Sequence, residues 1–183
     1  MSVEKKIDVL GIGNAIIDVI ANADDAFLSS HNLNKGSMTL VDELISKNIY
    51  ASMENKVQMS GGSAANTIFG ISQLGCKSAF IGKRSNDELG NIFHADLANA
   101  DIDFTTRPLD TGESSARCLI LVTPDAERTM ATFLGSSSKL TLEDINEEQI
   151  ASSKIIYLEG YLFDPEDAQE AFQKAAEYAK MHN

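Results

Sequence analysis

The residues of this chain best suited to chemistry stand at two places. The first is Gly61-Gly62-Ser63-Ala64-Ala65-Asn66, which follows Ser60 and runs on through Ile68-Phe69-Gly70-Ile71 to Leu74-Gly75. Adjacent glycines let the backbone take positive φ and let a ligand approach where no Cβ stands. Ser63 occupies the expected N-cap, and Ala64, Ile68 and Ile71 recur at i, i+4 and i+7, the spacing of a helix with one buried face. Leu74-Gly75 closes that helix with a C′ glycine. A bare loop thus feeds a helix whose free N–H groups and positive dipole end point back at the glycines. Asn66, about one turn in, adds an amide that both donates and accepts. Such a stretch can receive oxygen-rich groups; it could equally be a tight turn with a capped helix.

The second place is Asn14 with Asp18. Ile7 to Gly13 reads as a buried strand ending in glycines, and ligands of α/β sheets bind beyond the carboxyl ends of strands, where these two residues fall. Asp18 is set among Ile16, Ile17, Val19 and Ile20 with no Lys or Arg nearby in sequence. A carboxylate so placed needs partners such as ligand hydroxyls. The competing reading is a turn aspartate bonded to nearby backbone; the ligand reading is favoured.

Familiar nucleotide loops are absent. Gly11-x-Gly13 lacks the third glycine of a dinucleotide fingerprint, since Ile16 stands there and no amphipathic helix follows. Gly82-Lys83 fails as a Walker loop because Lys77 replaces the first glycine and Arg84 the final Ser or Thr. His31, His94 and His182 have no ligand spacing, which leaves zinc without support. Cys76 and Cys118 are isolated in apolar runs and read as buried free thiols of a reducing compartment.

The elements that must position these residues alternate. Core strands are expected at 7–13, 76–82 and 154–158. Helices are expected at Asp24–Asn34, Val41–Met53 and Ser63–Gly75, then from Asn86 or Asp87 with Leu89, Phe93, Leu97 and Ala100 inward. Two more follow: Thr141–Ile150, and one capped by Asp164 with Pro165 at N1 and Ala168, Phe172, Ala175 and Ala179 as its stripe. Extended pieces at 14–22, 36–42, 103–109 and 116–134, with a turn at Thr123-Pro124-Asp125-Ala126, suit a small antiparallel layer over the glycine loop. Met38–Asp42 could pair with the strand near Ile16–Ile20. Layers of this kind exclude water during group transfer; the competing reading is edge strands with no gating role.

With 183 residues, 43% hydrophobic and 23% charged, the chain is an ordinary globular one with room for a real core. A formal net charge of -12 argues against nucleic acid or an anionic membrane as main partner. No signal peptide or long apolar run appears, so a cytoplasmic location is expected. The last helix ends where a parallel sheet would take up another strand, and the chain reads as part of a longer one.

Taken in order, these stretches resemble the N-terminal part of the ribokinase-like (pfkB) family of sugar and nucleoside kinases. The resemblance rests on Gly11-Ile12-Gly13-Asn14 with Asp18, Gly61-Gly62-Ser63-Ala64-Ala65-Asn66 to Gly75, and Ile81-Gly82-Lys83 leading into Asp87-Glu88-Leu89-Gly90. It continues through Val122 to Thr129, Leu134-Gly135 and Glu159-Gly160-Tyr161. Gly-Asn-Ala-Ile-Ile-Asp and Glu-Gly-Tyr look most like the bacterial adenosine-kinase-type members.

The resemblance implies a doubly wound α/β sheet with a small β-sheet lid, residues 1–183 being the N-terminal part of one kinase domain whose C-terminal half is missing. It implies that Asn14 and Asp18 hold sugar hydroxyls, with Gly61, Gly62, Ser63 and Asn66 opposite, Met38 and Met130 as an apolar wall, and Tyr161 near the acceptor. The implied reaction passes the γ-phosphoryl of ATP, with Mg²⁺, to a hydroxymethyl group of a nucleoside, adenosine foremost. The family's Gly-Ala-Gly-Asp base motif and its Asn-x-x-Glu motif are both absent; Asn146-Glu147-Glu148-Gln149 ends in Gln. No catalytic residue and no metal ligand is therefore expected here, and the polypeptide alone should not transfer phosphate. Other readings are a kinase for ribose, fructose or a related sugar, a non-catalytic sugar- or nucleoside-binding module, and a β layer that pairs with a second copy of the chain.

Overall fold

The computed structural model describes residues 4–182. β1 (Ile7–Ile12) carries Leu10 and Ile12, both fully buried, and only Gly13-Asn14-Ala15 separates it from β2 (Ile16–Asn22). α1 (Asp25–Ser30) begins where the Asp24 carboxylate accepts the Phe27 N–H, and α2 (Glu43–Ser52) where Asp42 accepts that of Ile45; β3 (Met38–Leu40) lies between them. β4 (Val57–Gly61) leads into α3 (Ser63–Gln73), and β5 (Ser78–Ile81) into α4 (Glu88–Asn99), capped by Asp87. Then come β6 (Ile102–Asp103), β7 (Ala116–Val122), β8 (Arg128–Phe133) and two 3₁₀ turns, Gly135–Lys139 and Leu142–Asp144. α5 (Glu147–Ala151), β9 (Ser153–Leu158), a third 3₁₀ turn (Gly160–Leu162) and α6 (Glu166–Met181) complete the order.

The strands form two sheets. The core sheet has the order β6-β5-β1-β9, all parallel. Alternation divides its faces: Leu10, Ile12, Ala79 and Ile81 pack with Ala168, Ala171, Phe172 and Ala175 of α6, whereas Phe80 faces Ile68 of α3 and Phe93 of α4. Phe80, Phe93 and Phe104 meet pairwise with ring centroids 5.4–5.8 Å apart. This is an α/β sheet covered on both faces, as parallel sheets require.

The second sheet is the lid, with the order β3-β8-β7-β2-β4. It is mixed and not antiparallel: β2 runs parallel to β7, and β3 parallel to β8. The chain leaves β1 and β6 at the same end of the core sheet, so β2 and β7 set out in the same direction. β3 accordingly pairs with β8 instead of with β2.

Several local expectations are corrected. Residues 103–109 are not a lid strand; Ile102–Asp103 pairs with β5 in the core sheet, where Phe104 joins the aromatic cluster and Leu109 bridges to Ser85. β4 takes the lid position instead, and its alternating Val57-Gln58-Met59-Ser60 carries the period-2 signal of a strand. Thr141–Ile150 is broken in two because Asn146 caps afresh, accepting the Gln149 N–H at 3.1 Å. At α6 the N-cap is Pro165, not Asp164, with no side-chain cap bond. Cys76 is exposed; Cys118 is buried.

Candidate functional site

The candidate site lies where β1 passes into β2. The side chains of Ile16, Asp18 and Ile20 alternate with buried Ile17, Val19 and Ala21, so Asp18 points to the outer face of the lid sheet. Its register partners are Met59 on β4 and Cys118 on β7. The Asp18 carboxylate is half-buried, and among the described residues it makes no hydrogen bond or ion pair. Partial burial without compensation pushes its pKa up. The same surroundings, with Asp18 adding a like-charge penalty, push the Cys118 thiol up to about 11, although Thr132 Oγ1 donates to Cys118 Sγ at 3.3 Å.

Gly61 closes directly on this carboxylate. A methyl group built on Gly61 would overlap Asp18, so the carboxylate occupies the space that a side chain would take. Gly62 has φ +89°, and a Cβ there would stand 2.8 Å from the carbonyl oxygen of Asn14. The structure brings Asp18, Asn14 and the two glycines together.

Ser63 is not the N-cap of α3. Gly62 holds that position, and no side chain of its own turn caps the helix. The acceptor comes from the end of β9: Glu159, 4% exposed, takes the Ala64 N–H at 2.7 Å through Oε1 and the Asn14 N–H at 3.3 Å through Oε2. Glu159 was missed from sequence as a member of the site. Its signal was the one that marked Asp18, a lone carboxylate at the end of an apolar strand.

The outer face of the lid continues away from Asp18 as an apolar wall. Cys118 pairs with Thr132, Ile120 with Met130, and Met130 with Met38, while Leu40 pairs with Thr132. Met38 and Met130 therefore sit side by side, with Ile20, Leu40 and Ile120 as neighbours that the sequence did not single out. Arg128, exposed, ends this face on β8.

Three expected residues stand apart. Asn66 lines a cavity of about 490 Å³ between α3, α4 and β4, with Met59, Ser60, Phe69, Gln73 and Asp96; Asp18 is not among its walls. The N–H of Ser60 donates to Asp96 there at 2.6 Å, which covers the outer edge of β4. Tyr161 is 80% exposed on its 3₁₀ turn, and Ser63 is exposed at the helix entrance. Among the described residues no three His, Cys, Asp or Glu side chains converge as metal ligands.

The sequence that builds this arrangement matches a protein-family model. The model of the pfkB family carbohydrate kinases covers residues 6–183. The chain belongs to that family. Among its relatives, guanosine-inosine kinase of Escherichia coli (strain K12) is 30% identical over 96% of this chain and 43% of its own length. The 5-dehydro-2-deoxygluconokinase of Bacillus subtilis (strain 168) is 26% identical over 98% of this chain and 49% of its own. The crystal structure of adenosine kinase from Sinorhizobium meliloti superposes with a TM-score of 0.87 at 44% identity, covering 97% of this chain and 54% of that one. The chain thus spans about half the length of these pfkB kinases, and its fold is the corresponding half of a ribokinase-like domain. No helix among the described residues is long and apolar enough to cross a membrane.

Proposed function

We propose that this pfkB chain forms the acceptor site and lid of an ATP-dependent kinase that phosphorylates the hydroxymethyl group of a nucleoside, adenosine foremost. The observation that carries this is the Asp18 carboxylate, half-buried and without a protein partner, held against the bare backbone of Gly61. A vicinal pair of ribose hydroxyls would satisfy it, each donating to one carboxylate oxygen, and the gain is large because the alternative is an unpartnered charge. The Met38, Met130 and Ile120 wall offers a base an apolar surface, and thioethers adapt to flat rings. Lid and core together then orient the acceptor and exclude water while the donor phosphate is presented.

ATP and Mg²⁺ would be supplied to this acceptor from elements outside residues 1–183, as would the base, so the 183-residue polypeptide by itself should show no turnover. The partner is a neutral small molecule. The edge strand β3 would also be the place of contact if the protein pairs with a second copy, and sedimentation with and without acceptor reads this out.

Calorimetric titration with adenosine, guanosine, ribose and fructose tests the reading. Nucleoside affinity at least tenfold above that for ribose supports it; equal affinity for ribose or fructose assigns the site to a sugar kinase. No binding by any of the four removes the acceptor site. ATP-dependent turnover by residues 1–183 alone would refute the expected inactivity.

A further inference from the structure

The N-terminus of a helix, with its unbonded N–H groups and positive dipole end, ordinarily receives an anion. In α3 that position is taken by the protein itself. The carboxylate of Glu159 comes from 95 residues away in sequence and is fixed by two backbone donors, Ala64 N–H on Oε1 and Asn14 N–H on Oε2. Both of its oxygens are thereby used as acceptors at the entrance of the helix. Gly13 permits it, because a Cβ there would stand 2.8 Å from Oε2. No cation balances it among the described residues: Lys83 is engaged with Asp144 at 2.5 Å and Arg117 donates to Ser46. A second carboxylate, Asp18, lies across Gly61.

We propose that Glu159 sets the charge class of the acceptor: the end of the molecule facing α3 must carry free hydroxyls, and one bearing a phosphate there is rejected. The inference rests on the acceptor lying at Asp18 and Gly61, as proposed above. Hydroxyls can donate to Asp18 and accept from the remaining amides of the turn. A phosphate monoester dianion has only acceptor oxygens to offer, and inorganic phosphate, like it, would bring a further negative charge beside two fixed ones. Glu159 on this account is a positioning and specificity-determining residue, without contact to the reacting atoms.

The test follows the backbone amides of Asn14, Ala64 and Asn66 by NMR in the ¹⁵N-labelled protein during titration with inorganic phosphate. In the wild type these amides should not move up to tens of millimolar phosphate. Glu159→Gln, which keeps size and one acceptor but loses the charge, should bind phosphate at this turn at least tenfold more tightly. Glu159→Asp, which keeps the charge, should reject it as the wild type does. Saturable phosphate shifts at Ala64 in the wild type, or no gain in a folded Gln variant, overturn the inference. Should the Gln variant not fold, the wild type decides through adenosine against adenosine 3′-monophosphate: at least a hundredfold preference for the free hydroxyl is expected, and affinities within tenfold overturn it. Absence of any adenosine or sugar binding would instead remove the acceptor reading, with phosphate still judging Glu159.

Discussion

The two faces of the lid sheet are made by alternate residues of the same strands, yet they behave as different materials. Inward, Ile17, Val19, Ala21, Leu119, Leu121 and Ala131 are buried in one cluster with Leu28, Ile49, Met53, Phe93 and Leu97. Outward, Cys118 and Ile120 are buried among their neighbours, but Ile16, Asp18, Ile20 and Met130 are only partly covered and Met38 is 55% exposed. The first face is complete within this chain. The second contains an unpartnered carboxylate beside a partly covered apolar wall. A period of two therefore separates stability from recognition along β2.

The sharpest way to break this comparison is on the inner face. Leu119→Ala should cost about 2–5 kcal/mol in urea unfolding, because a fully buried leucine leaves a cavity, while acceptor affinity of the folded protein stays unchanged. Gly61→Ala puts a methyl group into the Asp18 carboxylate; acceptor affinity measured by calorimetry should fall by about a hundredfold, roughly 2.7 kcal/mol, with a smaller loss of stability than Leu119→Ala.

Asp18→Asn should move the two properties in opposite directions. Affinity falls about tenfold or more with loss of the charged hydrogen bonds. Stability rises near neutral pH, since burial holds the folded-state pKa of Asp18 above its unfolded value. The sign follows by linkage: the contribution of Asp18 is most favourable below the ordinary carboxylate range and is lost as pH rises through the raised value. Thermal melts across acidic pH should show this segment flattened in the Asn variant. Met130→Ala should weaken adenosine by about tenfold, as expected for one lost apolar contact, and leave ribose nearly unaffected. The smallest expected effect is chemical: at pH 8 iodoacetamide should modify exposed Cys76 and spare Cys118, whose thiol is buried and held at about 11.

Much of this was legible from the chain because its signals are local. Asp18 stood out as a charge inside a β-branched run, and Gly61-Gly62 as a bend before a periodic helix; the structure brings them into contact. What the sequence hid depends on partners distant along the chain. The spacing of Ser63 marks it as a cap, but the acceptor at this helix entrance arrives with Glu159 from β9. The order β3-β8-β7-β2-β4 follows from where each strand leaves the core, which no hydrophobic pattern encodes. Asn66 was assigned by its place in the glycine motif, whereas helix periodicity turns it toward Phe69, Gln73 and Asp96.

The three-residue joint between β1 and β2 has a mechanical consequence. It is clamped on both sides, by Gly13 N–H on the carbonyl of Ile81 at 3.2 Å and by Glu159 N–H on that of Ile12 at 3.0 Å. Asp18 lies close to this fulcrum, while Met38 rides three strands out, a lever arm of about 14 Å at the usual strand spacing. Tilting the lid would therefore sweep the methionines through a wide arc and leave the carboxylate almost in place. Grip on the hydroxyls and closure over the rest of the ligand become separable events.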